Sequence, residues 1–374
     1  MIYLDYSATT KVDKEVIDSF VKACDYVGNP NSLHKLGVDA KKIIDASTNQ
    51  INDLLRLNGK EVIYTSGSSE ANNLAIKGIC DKYSNRGKHI ITTSLEHSSI
   101  YGPINYLIDK GYSVDFVDLD EFGRVNLKHL ESLINDNTIL VSINGINSEL
   151  GIKQPIEEIG KLLKKYPKVF FHADLTQAIG KVFIDTTNID LFSFSAHKFF
   201  GIKGIGCLVK NKNLIIEPLI HGGKSTTNYR SGTPTTQLIV SLAKALRLAT
   251  FEIDKKYGYV EKLNKRIQDK LITYDKVYIN SNEYSIPHIL NISVLGVKPE
   301  TLLHALEEYD IYISTQSACS VSNSVSKAVL SVTKNNERAQ SSVRISLSYK
   351  TTEEEIDKFL EAFDKCYLKL TNLR

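Results

Sequence analysis

The chain has 374 residues, 42% of them hydrophobic and 24% charged, an ordinary balance for a globular protein with a sizeable core. Its formal charge of +3 is small, and Lys and Arg alternate with Asp and Glu, which argues against direct nucleic-acid or membrane binding. No apolar run reaches the ~18 residues of a membrane span, and MIYLDYSATT lacks the regions of a signal peptide. Cys24, Cys80, Cys207, Cys319 and Cys366 are odd in number and irregularly spaced, so neither disulfides nor a metal site is expected, and a reducing cytoplasm suits them.

From residue 60 to about 210, short β-rich runs alternate with helical stretches. EVIYTS (61–66), HIITTS (89–94), YSVDFV (112–117), TILVSI (138–143), KVFFHA (168–173), DLFSFS (190–195) and IGCLVK (205–210) read as strands. SEANNLAIKGICDKY, SIYGPINYLIDK and PIEEIGKLLKKY carry apolar residues at helical spacing between them. This alternation predicts an α/β fold with a mainly parallel sheet covered by helices on both faces. Residues 235–273 read as long helices, and beyond 275 short strands and helices suit a smaller α/β domain.

Three segments carry chemistry. TSGSSEANN (65–73) follows the first large-sheet strand and opens a helix, so Ser68 and Ser69 sit where N–H groups point outward, as a phosphate site or as ordinary capping. In FHADLTQ (171–177), Asp174 falls at the carboxyl end of an apolar strand, where it suits a protonated pyridine nitrogen, an N-cap role or a buried Lys partner. In DLFSFSAHKFFGIKGIG (190–206), Ser195 and His197 share one side and Lys198 follows at the strand's end, placed to form a Schiff base. Gly201, Gly204 and Gly206 would let the chain turn close to a bulky ligand.

With these segments on the page the chain resembles the class V aminotransferase-like pyridoxal-phosphate (PLP) enzymes, and specifically the cysteine desulfurases. The resemblance runs through YLDYSATT, GNPNSLH, TSGSSEANNLAIKG, EHSSI, NSELGIKQPI, HADLTQAIGK, SFSAHKFFGIKGIG, HGG with RSGT, QSACS and SSVRISLSYKTTEEEID, in that order. It implies the type I PLP-dependent transferase fold, with a large PLP-binding domain at 15–255 and a small domain from 1–14 and 256–374. It also implies PLP bound covalently at Lys198, its ring nitrogen met by Asp174, its phenolate oxygen by Gln177 and its face by His97. Asn147 would lie beside ring and substrate. Ser68, Ser69, Ser195 and His197 would cradle the phosphate, with Thr233 reaching in from the second subunit of a homodimer. Arg344 would grip the carboxylate of L-cysteine.

Cys319 lies in a polar, Ser-rich segment without apolar period, which predicts a mobile loop, about 314–330, on the small domain. The other cysteines suit buried or incidental roles. The resemblance makes Cys319 the residue that takes the substrate's sulfur as a persulfide, releases alanine, and hands the sulfur to an acceptor protein, either an iron–sulfur scaffold or a tRNA-thiolation enzyme. The chain departs from the family pattern in several places. Lys224, Ser225, Thr226 and Thr227 replace a Gly-Gln-Glu-Arg run, Gln316 replaces a Gly, Ser348 and Tyr349 replace Gly-Arg, Ser148 replaces a second Asn, and Ser98 and Ser99 follow EH. A selenocysteine lyase, another class V enzyme and a low-activity sulfur-relay subunit are the alternatives.

Overall fold

The computed structural model describes residues 1–315 and 325–371. The chain opens with β1 (Ile2–Tyr3), α1 (Lys14–Ala23) and α2 (Lys35–Leu54), then enters the large sheet with β2 (Lys60–Thr65). There follow α3 (Ser68–Lys82), β3 (His89–Thr92), α4 (Ser98–Ile108), β4 (Ser113–Phe116), α5 (Leu127–Leu133), β5 (Thr138–Asn144), α6 (Ile156–Leu163) and β6 (Phe170–Asp174). Then come β7 (Leu191–Ser195), a 3-10 turn (Ala196–Lys198), β8 (Gly206–Asn211), α7 (Thr236–Thr250) and α8 (Ile253–Leu271). The last part holds β9 (Val277–Ile279), β10 (Ile289–Val294), α9 (Pro299–Glu307) and β11 (Ile311–Tyr312). It ends with α10 (Lys327–Thr333), α11 (Asn336–Gln340), β12 (Ser342–Ser346) and α12 (Glu353–Thr371).

All seven runs read as strands between 60 and 211 pair into one sheet, in the order β2-β8-β7-β6-β5-β3-β4. Only β8 runs antiparallel, against β2 on one side and β7 on the other. Apart from the exposed edge strand β4, the strands are apolar at consecutive positions because both sheet faces are covered. Side-chain alternation sends Val62, Val141, Phe192 and Val209 into one core and Ile63, Leu140, Leu191 and Leu208 into another. Helices α3 and α4 cover the second face, while α7 and residues of α1 and α2 close the first. Neither α1 nor α2 is anticipated by the sequence reading; α2 buries Gly37, Ala40, Ile44, Ser47 and Ile51, mostly small residues that leave a weak hydrophobic pattern.

A further core gathers Leu4, Val260, Leu290, Val343 and Phe359 around the antiparallel sheet β12-β10-β9. The start of the chain joins this part, since β1 pairs in parallel with β11. Gly206 serves strand packing: a Cβ there would lie 2.5 Å from the Phe194 carbonyl oxygen and 2.7 Å from the Gly67 Cα. A side chain would therefore push β8 away from the turn that starts α3.

Candidate active site

The carboxyl ends of β5, β6 and β7 and the N-terminus of α3 converge on one cavity of about 210 Å³. Open α/β sheets form such crevices where parallel strands end. Lys198 reaches it because β7 stops at Ser195 and the 3-10 turn swings the next three residues over the strand end. Its Nζ donates to the carbonyl oxygens of Ser7 at 2.6 Å and Ala8 at 2.8 Å, so the N-terminal segment forms a wall of the cavity.

Opposed chemistry comes from Asp174, the last residue of β6. Its Oδ2 accepts from Asn72 Nδ2 at 2.8 Å and its Oδ1 from the Thr176 N–H at 3.0 Å. Among the described residues no salt bridge reaches this carboxylate, although it lines the cavity. Asn72 Nδ2 also donates to Ser99 Oγ at 2.9 Å, which lies 2.8 Å from His97 Nδ1. Asp174, Asn72, Ser99 and His97 thus form one hydrogen-bonded chain from β6 to the start of α4. His97 caps α4 by accepting from the Ser99 N–H at 3.1 Å. Burial holds its imidazole below the usual range, with Asp174 opposing and Lys198 reinforcing that shift, which favours a neutral ring.

Ser68 and Ser69 line the cavity at the first turn of α3, where N–H groups are without helical partners. The Ser68 N–H donates to Ser195 Oγ at 2.6 Å, and that hydroxyl donates to Ser68 Oγ at 3.2 Å. His197 lines the same cavity, with Nδ1 3.1 Å from Thr9 Oγ1. Ser68, Ser69 and His197 line the cavity at this helix N-terminus, an arrangement suited to an anion, while Ser195 stands behind Ser68 and not on the wall. Glu70, one residue further along α3, is occupied by Arg230 Nε at 2.9 Å and the Ser66 N–H at 2.7 Å.

Gln177 and Arg344 complete the wall. Arg344 is buried in β12; its Nη2 donates to Asp5 Oδ1 at 2.7 Å and its Nη1 to the Ser148 carbonyl at 3.0 Å. Among the described residues its Nε is buried without a partner, as is the Thr176 hydroxyl on the cavity wall.

Not every expected residue meets there. Asn147, expected beside ring and substrate, does not line the cavity. Its Nδ2 donates to the Leu95 carbonyl at 3.0 Å and its Oδ1 accepts from the N–H groups of Glu149 and Leu150, which closes a tight turn. Asn144 and Ser148 stand on the wall instead, one at the end of β5 and the other just past Asn147. Thr233 faces a separate hollow with Thr65, Ser66 and Arg230. Cys319 and Gln316 lie outside the described residues, but their flanks are fixed beside the site. Ser314 pairs with Arg344 through both backbone bonds, and Ser326 Oγ donates to Glu149 Oε2 at 2.7 Å. Of the other cysteines, Cys80, Cys207 and Cys366 are buried and Cys24 is exposed, and none lines the cavity.

Titration around the site gives a pH dependence. Burial pushes the imidazoles of His172 and His197 from 6.5 down to about 4, and that of His288 to about 3. Burial raises the Glu96 carboxyl from 4.5 to about 8, against hydrogen bonds from Thr93 and Asn144. Between pH 4.5 and 6.5, unfolding lets three histidines gain protons and one carboxyl lose its proton, a net uptake of about two. The histidines' contribution is therefore full above about pH 6.5 and lost as pH falls toward 4, outweighing the opposite contribution of Glu96 in that window. Thermal melts recorded across that window should show a steep fall in Tm on acidification; an unchanged Tm contradicts the sign.

The cavity, with an amine, a carboxylate and an anion cradle at the strand ends of a mostly parallel sheet, agrees with what sequence comparison gives. Residues 2–359 match the aminotransferase class-V family, and the chain belongs to it. A NifS/IcsS protein homolog of Lactobacillus delbrueckii subsp. bulgaricus is 40% identical over 376 residues, covering 98% of this chain and 97% of that protein. Cysteine desulfurase IscS of Vibrio cholerae is 41% identical, covering 96% and 91%. The solved structure of a NifS-like protein superposes with a TM-score of 0.91 at 33% identity over 99% of both chains. That of SspA in complex with cysteine superposes with a TM-score of 0.81 at 30% identity, over 94% of this chain and all of SspA's. Within the class V family, these relatives place the chain on the NifS/IscS cysteine desulfurase branch.

Proposed function

We propose that the protein is a PLP-dependent cysteine desulfurase that converts L-cysteine to L-alanine and passes the sulfur through Cys319. The observation that carries this reading is the single cavity shared by the Lys198 amine, the Asp174 carboxylate and the N-terminus of α3. These residues fit PLP: the cradle of Ser68, Ser69 and His197, with Ser195 behind Ser68, suits a phosphate, and Asp174, with no cationic partner among the described residues, suits a protonated pyridine nitrogen. PLP, when bound, supplies an electron sink for charge developing at the substrate's Cα.

The protein's residues supply the rest. Lys198 would hold the cofactor, and its Nζ, held at the cavity wall by two carbonyls, would move protons at the substrate's Cα. His97, its imidazole kept neutral by burial, lines the cavity and would face the ring. Arg344, anchored by Asp5 and the Ser148 carbonyl, fixes the substrate carboxylate and orients the Cβ–S bond. The Cys319 thiolate attacks the substrate sulfur; the substrate C–S bond breaks, an S–S bond forms, and protonation of the carbon fragment gives alanine.

Thr233 stands outside its own chain's cavity, which supports a homodimer in which it serves the partner's cradle. Leu33, 98% exposed beside the hollow that includes Lys224, Ser225 and Thr226, supports the same reading. Among the described residues no helix is long and apolar enough to cross a membrane. A cytoplasmic enzyme serving an iron–sulfur scaffold or a tRNA-thiolation enzyme is the proposal that follows. Release of alanine from L-cysteine by the PLP-loaded protein is the experiment that tests it.

A further inference from the structure

Lys181 is a buried amine with no role in the chemistry above. It lies one helical turn beyond Gln177 in the turns that follow β6, and only 8% of it is exposed. Its Nζ donates to Gln177 Oε1 at 2.5 Å. No carboxylate pairs with it among the described residues; the charged or titratable groups it feels are Lys198, Arg344, His197 and His288. Arg344 is itself paired with Asp5. An amine buried beside other cations costs stability, and burial, with Lys198 and Arg344 adding to it, lowers its pKa from 10.5 to about 7. A hydrophobic residue would fill the same space without that cost, so the position asks for a reason.

Gln177 provides one. A carboxamide can present either an oxygen or an NH2 group after a half-turn of its end, and only its partners decide which. Lysine Nζ has only protons to give in its charged form, so it fixes the oxygen of Gln177 toward itself. The Nε2 is then forced toward the cavity, where it donates one proton to the Ser7 carbonyl at 3.0 Å. That carbonyl also accepts from Lys198 Nζ. The second Nε2 proton is available to an acceptor in the cavity.

We infer that Lys181 is a positioning residue that sets the polarity of Gln177, so that Gln177 offers the phenolate oxygen of PLP a donor. This inference rests on the PLP reading of the cavity. Lys181 does not touch cofactor or substrate; it acts through the carboxamide. A donor at that oxygen favours its ionised form and loosens the proton it shares with the nitrogen contributed by Lys198. In Lys181→Met the amide can turn over and set oxygen against oxygen.

The test uses full-length protein freed of PLP and then titrated with it. Lys181→Met should bind PLP about tenfold more weakly than wild type, the scale of one lost hydrogen bond to a charged group. The pH midpoint of its visible absorption should rise by about one unit. In a Gln177→Ala background the same substitution should change neither quantity further, because the amide through which it acts is gone. A merely structural role would instead lower Tm in both backgrounds and leave the midpoint alone. Should Lys181→Met not fold, Lys181→Gln, which removes the obligatory donor but keeps a polar group, should raise the midpoint in the same direction. An unchanged midpoint, or an equal effect in the Gln177→Ala background, overturns the inference while wild type still binds PLP. Wild type that takes up no PLP overturns the cofactor reading itself.

Discussion

Lys198→Ala should abolish the visible absorption that PLP acquires on condensing with a lysine, and lower alanine formation from L-cysteine by at least about a thousand-fold. Lys198 is the amine that the 3-10 turn after β7 delivers to the cavity wall, where the Ser7 and Ala8 carbonyls hold it. The other cavity groups, Asp174, His97 and the α3 cradle, cannot replace a primary amine as covalent anchor. They remain intact in the variant, so PLP should still bind reversibly and be lost on dialysis. Lys181 is another amine nearby, but its Nζ is engaged by Gln177 and it does not line the cavity. Absorbance spectra before and after dialysis distinguish the two states, and an undiminished visible band in Lys198→Ala rules out the assignment.

Cys319→Ser should leave that absorption as in wild type and still give a spectral change with L-cysteine. Turnover to alanine should fall by at least about a thousand-fold, as when a catalytic nucleophile is lost. Burial pushes the thiols of Cys80 and Cys207 up, where they are poor nucleophiles, and Cys366 is buried as well. Cys24 sits exposed at the end of α1, away from the cavity wall. No other described cysteine is therefore placed to accept sulfur. Normal alanine turnover in the variant would remove Cys319 from the reaction.

Much of this was legible in the sequence, for identifiable reasons. The inner strands of the large sheet stand out because consecutive Val, Ile and Phe residues are what a sheet covered on both faces requires, while the exposed edge strand β4 carries only alternating apolar residues. Lys198, Asp174, Ser68 and Ser69 were legible because each falls at a strand end or helix start, where backbone direction alone points to the crevice. Asn147 shows the limit of such reading. In NGINSEL the choice among Asn144, Asn147 and Ser148 depends on how a turn closes, and the Asn147 side chain is consumed by closing it. Spacing carries no information about that. The ion pair between Arg344 and Asp5 joins residues 339 apart in the chain, and only the tertiary fold brings them together. Lys181 lay in plain view within HADLTQAIGK, yet nothing in its neighbours marks it as buried; its meaning appears only once Gln177 Oε1 is found beside it.

The most direct measurement is a single turnover of PLP-loaded wild-type protein with L-cysteine, followed by quantitation of alanine and peptide mapping under non-reducing conditions. Alanine equal to the number of occupied sites, with one added sulfur atom on the peptide containing Cys319, is the predicted result. Absence of alanine, or alanine with the sulfur on another residue or on none, would contradict the account.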